Sequence, residues 1–77
     1  WLGTYRFDKG EVRELKQEAG NLVLLQQGDE PVPVVPGADG RYYLGESLDY
    51  LGFERRSDGK RTMTMHNRLM GDSTGTE

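Results

Sequence analysis

Apolar and polar residues alternate with a period of two along much of this chain. Trp1, Gly3, Tyr5 and Phe7 fall on one face of an extended segment, and Leu2, Thr4 and Arg6 on the other. Leu51 and Phe53 share a face between Leu48 and Arg56, opposite Tyr50. Between Arg61 and Arg68, Met63 and Met65 face one way while Thr62, Thr64 and His66 face the other. Asn21 to Gln27 reads as a compact apolar strand, and Arg41 to Leu44 as an aromatic, β-prone one. Alternation of this kind predicts strands buried on one side. Val32, Val34 and Val35 lie among Pro31, Pro33 and Pro36, and the N–H that proline lacks assigns this stretch to a sheet edge or a bulge.

Turn residues punctuate these segments. Glycines at 10, 20, 28, 37, 45 and 59 stand at intervals of 10, 8, 9, 8 and 14, the spacing of a β-sandwich or barrel. Gly52, inside the longest interval, marks a bulge within a strand. Asp8-Lys9-Gly10 suits a three-residue hairpin loop, Asp58-Gly59 is the strongest hairpin signal, and Gly37-Ala38-Asp39-Gly40 is a looser connection. Glu11 to Ala19 behaves differently. Val12, Leu15 and Ala19 recur at helical spacing, Asp8 with Glu11 fits a capping box, and Gly20-Asn21 fits a C-cap, so local chemistry alone favours a helix there. From Gly71 onward no residue is apolar, which predicts one β domain over residues 1–70 and a frayed tail over 71–77.

A further reading comes from the order of several short motifs. Trp1-Leu2-Gly3-Thr4-Tyr5-Arg6-Phe7 is followed by a polar hairpin and by Gly20-Asn21-Leu22-Val23-Leu24. Val34-Val35-Pro36, the pair Tyr42-Tyr43, Phe53-Glu54-Arg55-Arg56-Ser57-Asp58-Gly59-Lys60 and Met63-Thr64-Met65-His66-Asn67 come next. This series resembles the small β domain at the C-terminus of many serine hydrolases of the β-lactamase and penicillin-binding superfamily. The resemblance covers roughly residues 1–68. It implies a small antiparallel meander forming a lipocalin-like barrel or half-barrel, with Glu11–Ala19 as a strand. It also implies a non-catalytic accessory domain that packs against its parent catalytic domain or another subunit, in a periplasmic or secreted protein. Arg13 departs from the pattern, standing where the family has an apolar strand residue, and Val23-Leu24-Leu25 is more apolar than usual.

Composition narrows the chemistry. The 77 residues are 34% hydrophobic and 30% charged, a thin supply for a core, so a partner surface is the expected source of added stability. The chain has no cysteine, which excludes disulfides and zinc–thiolate sites, and its single histidine argues against a histidine metal site. Neither a metal nor a cofactor is expected. A net charge of −3 argues against nucleic acid as partner. The longest apolar run, Leu22-Val23-Leu24-Leu25, falls far short of the ~20 residues of a membrane-spanning helix.

No catalytic constellation emerges. Ser57-x-x-Lys60 matches a serine-hydrolase motif in letters, but that motif needs a helix and Asp58-Gly59 makes a turn. Ser47 and Ser73 lack the lysine altogether, and His66 is expected to face solvent beside Thr62 and Thr64. The carboxylates Asp8, Glu11, Glu14, Glu18, Asp29 and Glu30 read as solvated hairpin ends. Arg55, Arg56, Lys60 and Arg61 read as a charged hairpin tip, a common guard against edge aggregation. Among the aromatics, core packing competes with display at a surface. The candidate ligand or partner contacts are Trp1, Tyr5, Tyr42, Tyr43, Tyr50 and Arg55. Besides docking, these residues admit a free-standing barrel that binds a small ligand in a tyrosine-lined pocket. They also admit, less favourably, a nucleic-acid-binding barrel using Tyr42, Tyr43 and the hairpin from Arg55 to Arg61.

Overall fold

The alternation resolves into strands throughout. The computed structural model describes residues 1–45, 48–69 and 71–77. Its elements are β1 (Gly3–Phe7), β2 (Val12–Glu18), β3 (Asn21–Gln26), β4 (Val32–Pro36), β5 (Tyr42–Leu44), β6 (Tyr50–Arg55), β7 (Arg61–Asn67) and β8 (Gly71–Thr76). Each strand pairs antiparallel with the next, and β8 returns to β1, so the meander closes into a small up-and-down barrel. Tyr5, Leu24, Leu51 and Met63 are fully buried inside it, with Phe7, Leu15 and Val34 around them. Every one of these occupies an inward position of the two-residue repeat. Among the described residues no helix is long and apolar enough to cross a membrane.

Glu11–Ala19 contains β2 rather than a helix. Leu15 pairs with Gly3 on one side and Leu24 on the other, and it is 2% exposed. A helix there would remove a strand from the closed ladder, so the hydrogen bonds of both neighbours outweigh the local propensity.

The expectation of a frayed tail over 71–77 is corrected. Gly71–Thr76 is β8, paired in register with β7 from Asn67↔Gly71 to Thr62↔Thr76 and with β1 at Arg6↔Thr76 and Phe7↔Gly75. Its inward positions are Gly71, Ser73 and Gly75; the first two are exposed at the open end, and Gly75 is small because the Phe7 ring fills the interior beside it. A Cβ on Gly75 would fall 2.5 Å from Phe7 Cε1. The apolar signal is missing because Phe7 supplies it from across the seam.

Two further expectations are corrected. The proline-rich β4 is neither an edge nor a bulge but lies between β3 and β5. The Pro33 carbonyl accepts from the Gly45 N–H at 2.7 Å, so Pro33's absent N–H would point toward β5, whose ladder with β4 begins only at Val34↔Leu44. By alternation Pro36 turns toward β3, beyond the last pair Leu22↔Val34. Each proline thus stands beyond the last residue pair on the side its missing N–H would face, which lowers the usual cost. Gly52 forms no bulge either, since the register of β6 with β7 runs through Gly52↔Thr64 without a step.

Three hairpins share one loop geometry. Phe7 and Glu11, Gly37 and Arg41, and Arg56 and Lys60 close three-residue loops through N–H···O bonds of 2.7–2.8 Å. The last loop residue in each is a glycine with positive φ: Gly10, Gly40 and Gly59. The turn from β2 to β3 differs. Ala19 at φ 49° and Gly20 at φ 85° link the pair Glu18↔Asn21, as a type I′ turn requires. An alanine in the left-handed region costs ~1–2 kcal/mol. Ala19→Asn is therefore expected to stabilise the barrel by about 0.5–1 kcal/mol, read as a higher urea midpoint at unchanged slope. An unchanged midpoint would mean that Ala19 carries no strain.

The two ends of the barrel are unlike. At one end Trp1 stacks on Phe53 with ring centroids 5.4 Å apart, and Tyr42 meets the same ring edge-on at 5.3 Å. Arg61 completes this plug. It donates to the Leu2 carbonyl at 3.0 Å and pairs with the Glu77 carboxylate, tying both ends of the chain to β7. The Arg61 guanidinium holds the Glu77 carboxyl below its usual range. The opposite end is open.

Candidate interaction surface

The six residues singled out in the sequence separate into three groups. Trp1, Tyr5 and Tyr42 belong to the plug. Tyr5 is fully buried, donates its hydroxyl to the Trp1 carbonyl at 2.7 Å, and has its phenol pushed up by burial. Arg55 is exposed at the end of β6, opposite Arg61. Tyr43 and Tyr50 lie on the outer wall. The tyrosines therefore divide between core and surface and do not share one pocket. The basic residues of the Asp58-Gly59 hairpin separate as well, with Arg56 paired to Asp58 at 3.3 Å and Arg61 to Glu77. Ser57 and Lys60 flank that hairpin's turn, both exposed, and Ser47 lies outside the described residues.

What the sequence did not assemble is a row across five strands. Val35, Tyr43, Tyr50, His66 and Asp72 are direct cross-strand neighbours on β4 to β8. Tyr43 and Tyr50 have ring centroids 5.9 Å apart, and Tyr50 stacks on His66 at 4.4 Å with 21° between planes. His66 Nδ1 lies 3.1 Å from Asp72 Oδ2. The Arg41 guanidinium covers the Tyr50 ring at 4.4 Å. His66 thus faces outward as expected, but half-buried between a ring and a carboxylate.

A glycine gives the Tyr43 ring its seat. A Cβ on Gly37 would fall 2.7 Å from Tyr43 Cε2, whereas one on Gly52 would make only ordinary contact with His66 Nε2, at 3.6 Å. The Tyr43 hydroxyl donates to Asp39 Oδ2 at 2.7 Å, which lowers the Asp39 carboxyl and raises the Tyr43 phenol. Asp39 Oδ1 also accepts the Arg41 N–H at 3.0 Å. The hairpin from Gly37 to Arg41 therefore fixes both Tyr43 and the backbone from which Arg41 reaches Tyr50.

The row continues into an apolar rim. Leu48 and Leu69, 61% and 94% exposed, stand on the loops just beyond Tyr50 and His66. Asp49 clamps those loops together, accepting from Arg68 N–H at 3.2 Å and from Asn67 Nδ2 at 3.3 Å. Strand parity alone would have separated Tyr42 from Tyr43, since adjacent residues face opposite ways. The pairing of Tyr50 with His66 needs the register. Among the described residues no cluster of three or more His, Asp or Glu side chains has metal-binding geometry. Comparison with known proteins gives no matching family model, curated protein or solved structure.

Proposed function

We propose that this chain is a non-catalytic accessory domain that docks onto a second protein surface through the row from Val35 to His66 and the Leu48 and Leu69 loops. The observation that carries the reading is the seated aromatic row. Tyr43 seated over Gly37, and Tyr50 stacked on His66 with Arg41 already over its ring, lose little conformational freedom on binding, and tyrosine with arginine is characteristic of interface centres. Two leucines exposed at its edge offer apolar area that the barrel's own core does not use. The partner in this reading is a serine-hydrolase catalytic domain or a second copy of the chain. The first of these rests on the sequence motifs from Trp1 to Asn67.

Light scattering over a range of concentrations, alone and mixed with such a catalytic domain, tests the reading. Association is expected in one arm, and Tyr43→Ala should weaken it about tenfold while the far-UV spectrum stays unchanged. A monomer in both arms overturns the proposal, as does association indifferent to Tyr43.

A further inference from the structure

The open end of the barrel carries a charge turned inward. Phe7, Arg13, Gln26, Met65, Asn67 and Ser73 occupy the inward positions there, by the alternation that buries Tyr5, Leu15, Leu24 and Met63. A cleft of about 690 Å³ opens between the β1–β2 and β7–β8 hairpins, with Phe7, Arg13, Met65 and Asn67 among its walls. Arg13 is 12% exposed, and its guanidinium lies 4.4 Å from the centre of the Phe7 ring. Its Nε donates to Gln26 Oε1 at 3.1 Å, and its Nη2 donates to Glu11 Oε2 at 2.6 Å.

An arginine directed into a barrel mouth is costly to desolvate unless an anion meets it. Glu11 meets it from the solvent side. That carboxylate is 52% exposed, whereas the guanidinium beneath it is held by Phe7 and Gln26. A fixed guanidinium under an exposed carboxylate is a receptor occupied by its own chain. We infer that this mouth binds a small monocarboxylate with a short apolar body, its carboxylate on Arg13 in place of Glu11 and its apolar part against Phe7 and Met65. Guanidinium and carboxylate match as a two-pronged hydrogen-bonded pair, and Lys9 on the rim adds a second positive charge. Asp8 also lines the rim, and Asp72 there is engaged by His66. The site rests on Arg13, Phe7 and Met65, whereas the docking row rests on Tyr43, Tyr50 and His66; the two meet at Asp72 on the rim and are tested by different residues.

Titration of the isotope-labelled chain with hexanoate, followed at the Met65 methyl and the Arg13 Nε, tests the inference, with hexanamide as the uncharged control. Hexanoate is expected to bind in about the millimolar range, at least about tenfold more tightly than hexanamide. Arg13→Met should weaken hexanoate about tenfold. Glu11→Ala should tighten it about threefold or more by removing the internal competitor. The Glu11 side chain is exposed and its carbonyl alone closes the hairpin to the Phe7 N–H, so this variant keeps the fold even where Arg13→Met loses it. Equal binding of acid and amide, shifts remote from Arg13 and Met65, or an affinity indifferent to Glu11→Ala each overturn the site.

Discussion

A chain cut after Asn67 is expected to lose cooperative thermal unfolding altogether. The deletion strips β7 of a partner along its whole length, from Thr62↔Thr76 to Asn67↔Gly71, and removes the two pairs that close β8 onto β1. It uncovers Phe7, which lies against Gly75, and takes from Arg61 the carboxylate that completes the plug. Both β1 and β7 become open edges, prone to pair with other chains. The whole stability of a small domain is about 5 kcal/mol, and loss of a strand flanked on both sides exceeds it. Calorimetry on the shortened chain is the check. A transition at the original temperature would show that residues 68–77 contribute nothing, as the composition of 71–77 alone suggests.

Leu24→Ala should remove about 2–5 kcal/mol, because Leu24 is fully buried between β2 and β4 and its neighbours are held by ladders on both sides. Such a loss leaves little of a marginal barrel. Leu69→Ala, on a side chain 94% exposed, should stay within about 0.5 kcal/mol. Urea denaturation of the pair measures the contrast. Comparable losses at both positions would mean that Leu69 is packed against something in solution, which the docking reading places at that loop.

Much of this architecture was legible in the pattern of residues. The alternation from Trp1 to Phe7 and from Arg61 to Asn67, and the Asp-Gly hairpin between Arg55 and Arg61, required no long-range information. β2 ran against its local chemistry, because good helix formers with Val12, Leu15 and Ala19 at helical spacing favour a helix until two neighbouring strands compete for the same backbone. β8 was hidden for the opposite reason. Gly75 is small by necessity, its other inward positions line the open end, and a strand whose core is supplied by Phe7 and Met63 has no apolar pattern of its own. The surface row was partly visible. Tyr43 and Tyr50 stood out as aromatics, but Arg41, His66 and Asp72 joined them only through cross-strand register, which no local spacing encodes. Arg13 was visible as a charge where the motif series has an apolar strand residue. Its meaning depended on which end of the barrel it faced.

The grip of Arg61 on both Leu2 and Glu77 bears on how the chain is threaded. Because Leu2 and Glu77 meet at one side chain and β8 pairs with β1, the eight strands form a closed ring. Joining 77 to 1 and cutting instead in the exposed hairpin between Gly37 and Arg41 would preserve every strand pairing while moving the break from the plug to the edge of the tyrosine row. A barrel connected in this way is expected to tolerate circular permutation, and to accept insertion into a loop of a host protein with residues 1 and 77 together and its open mouth pointing away.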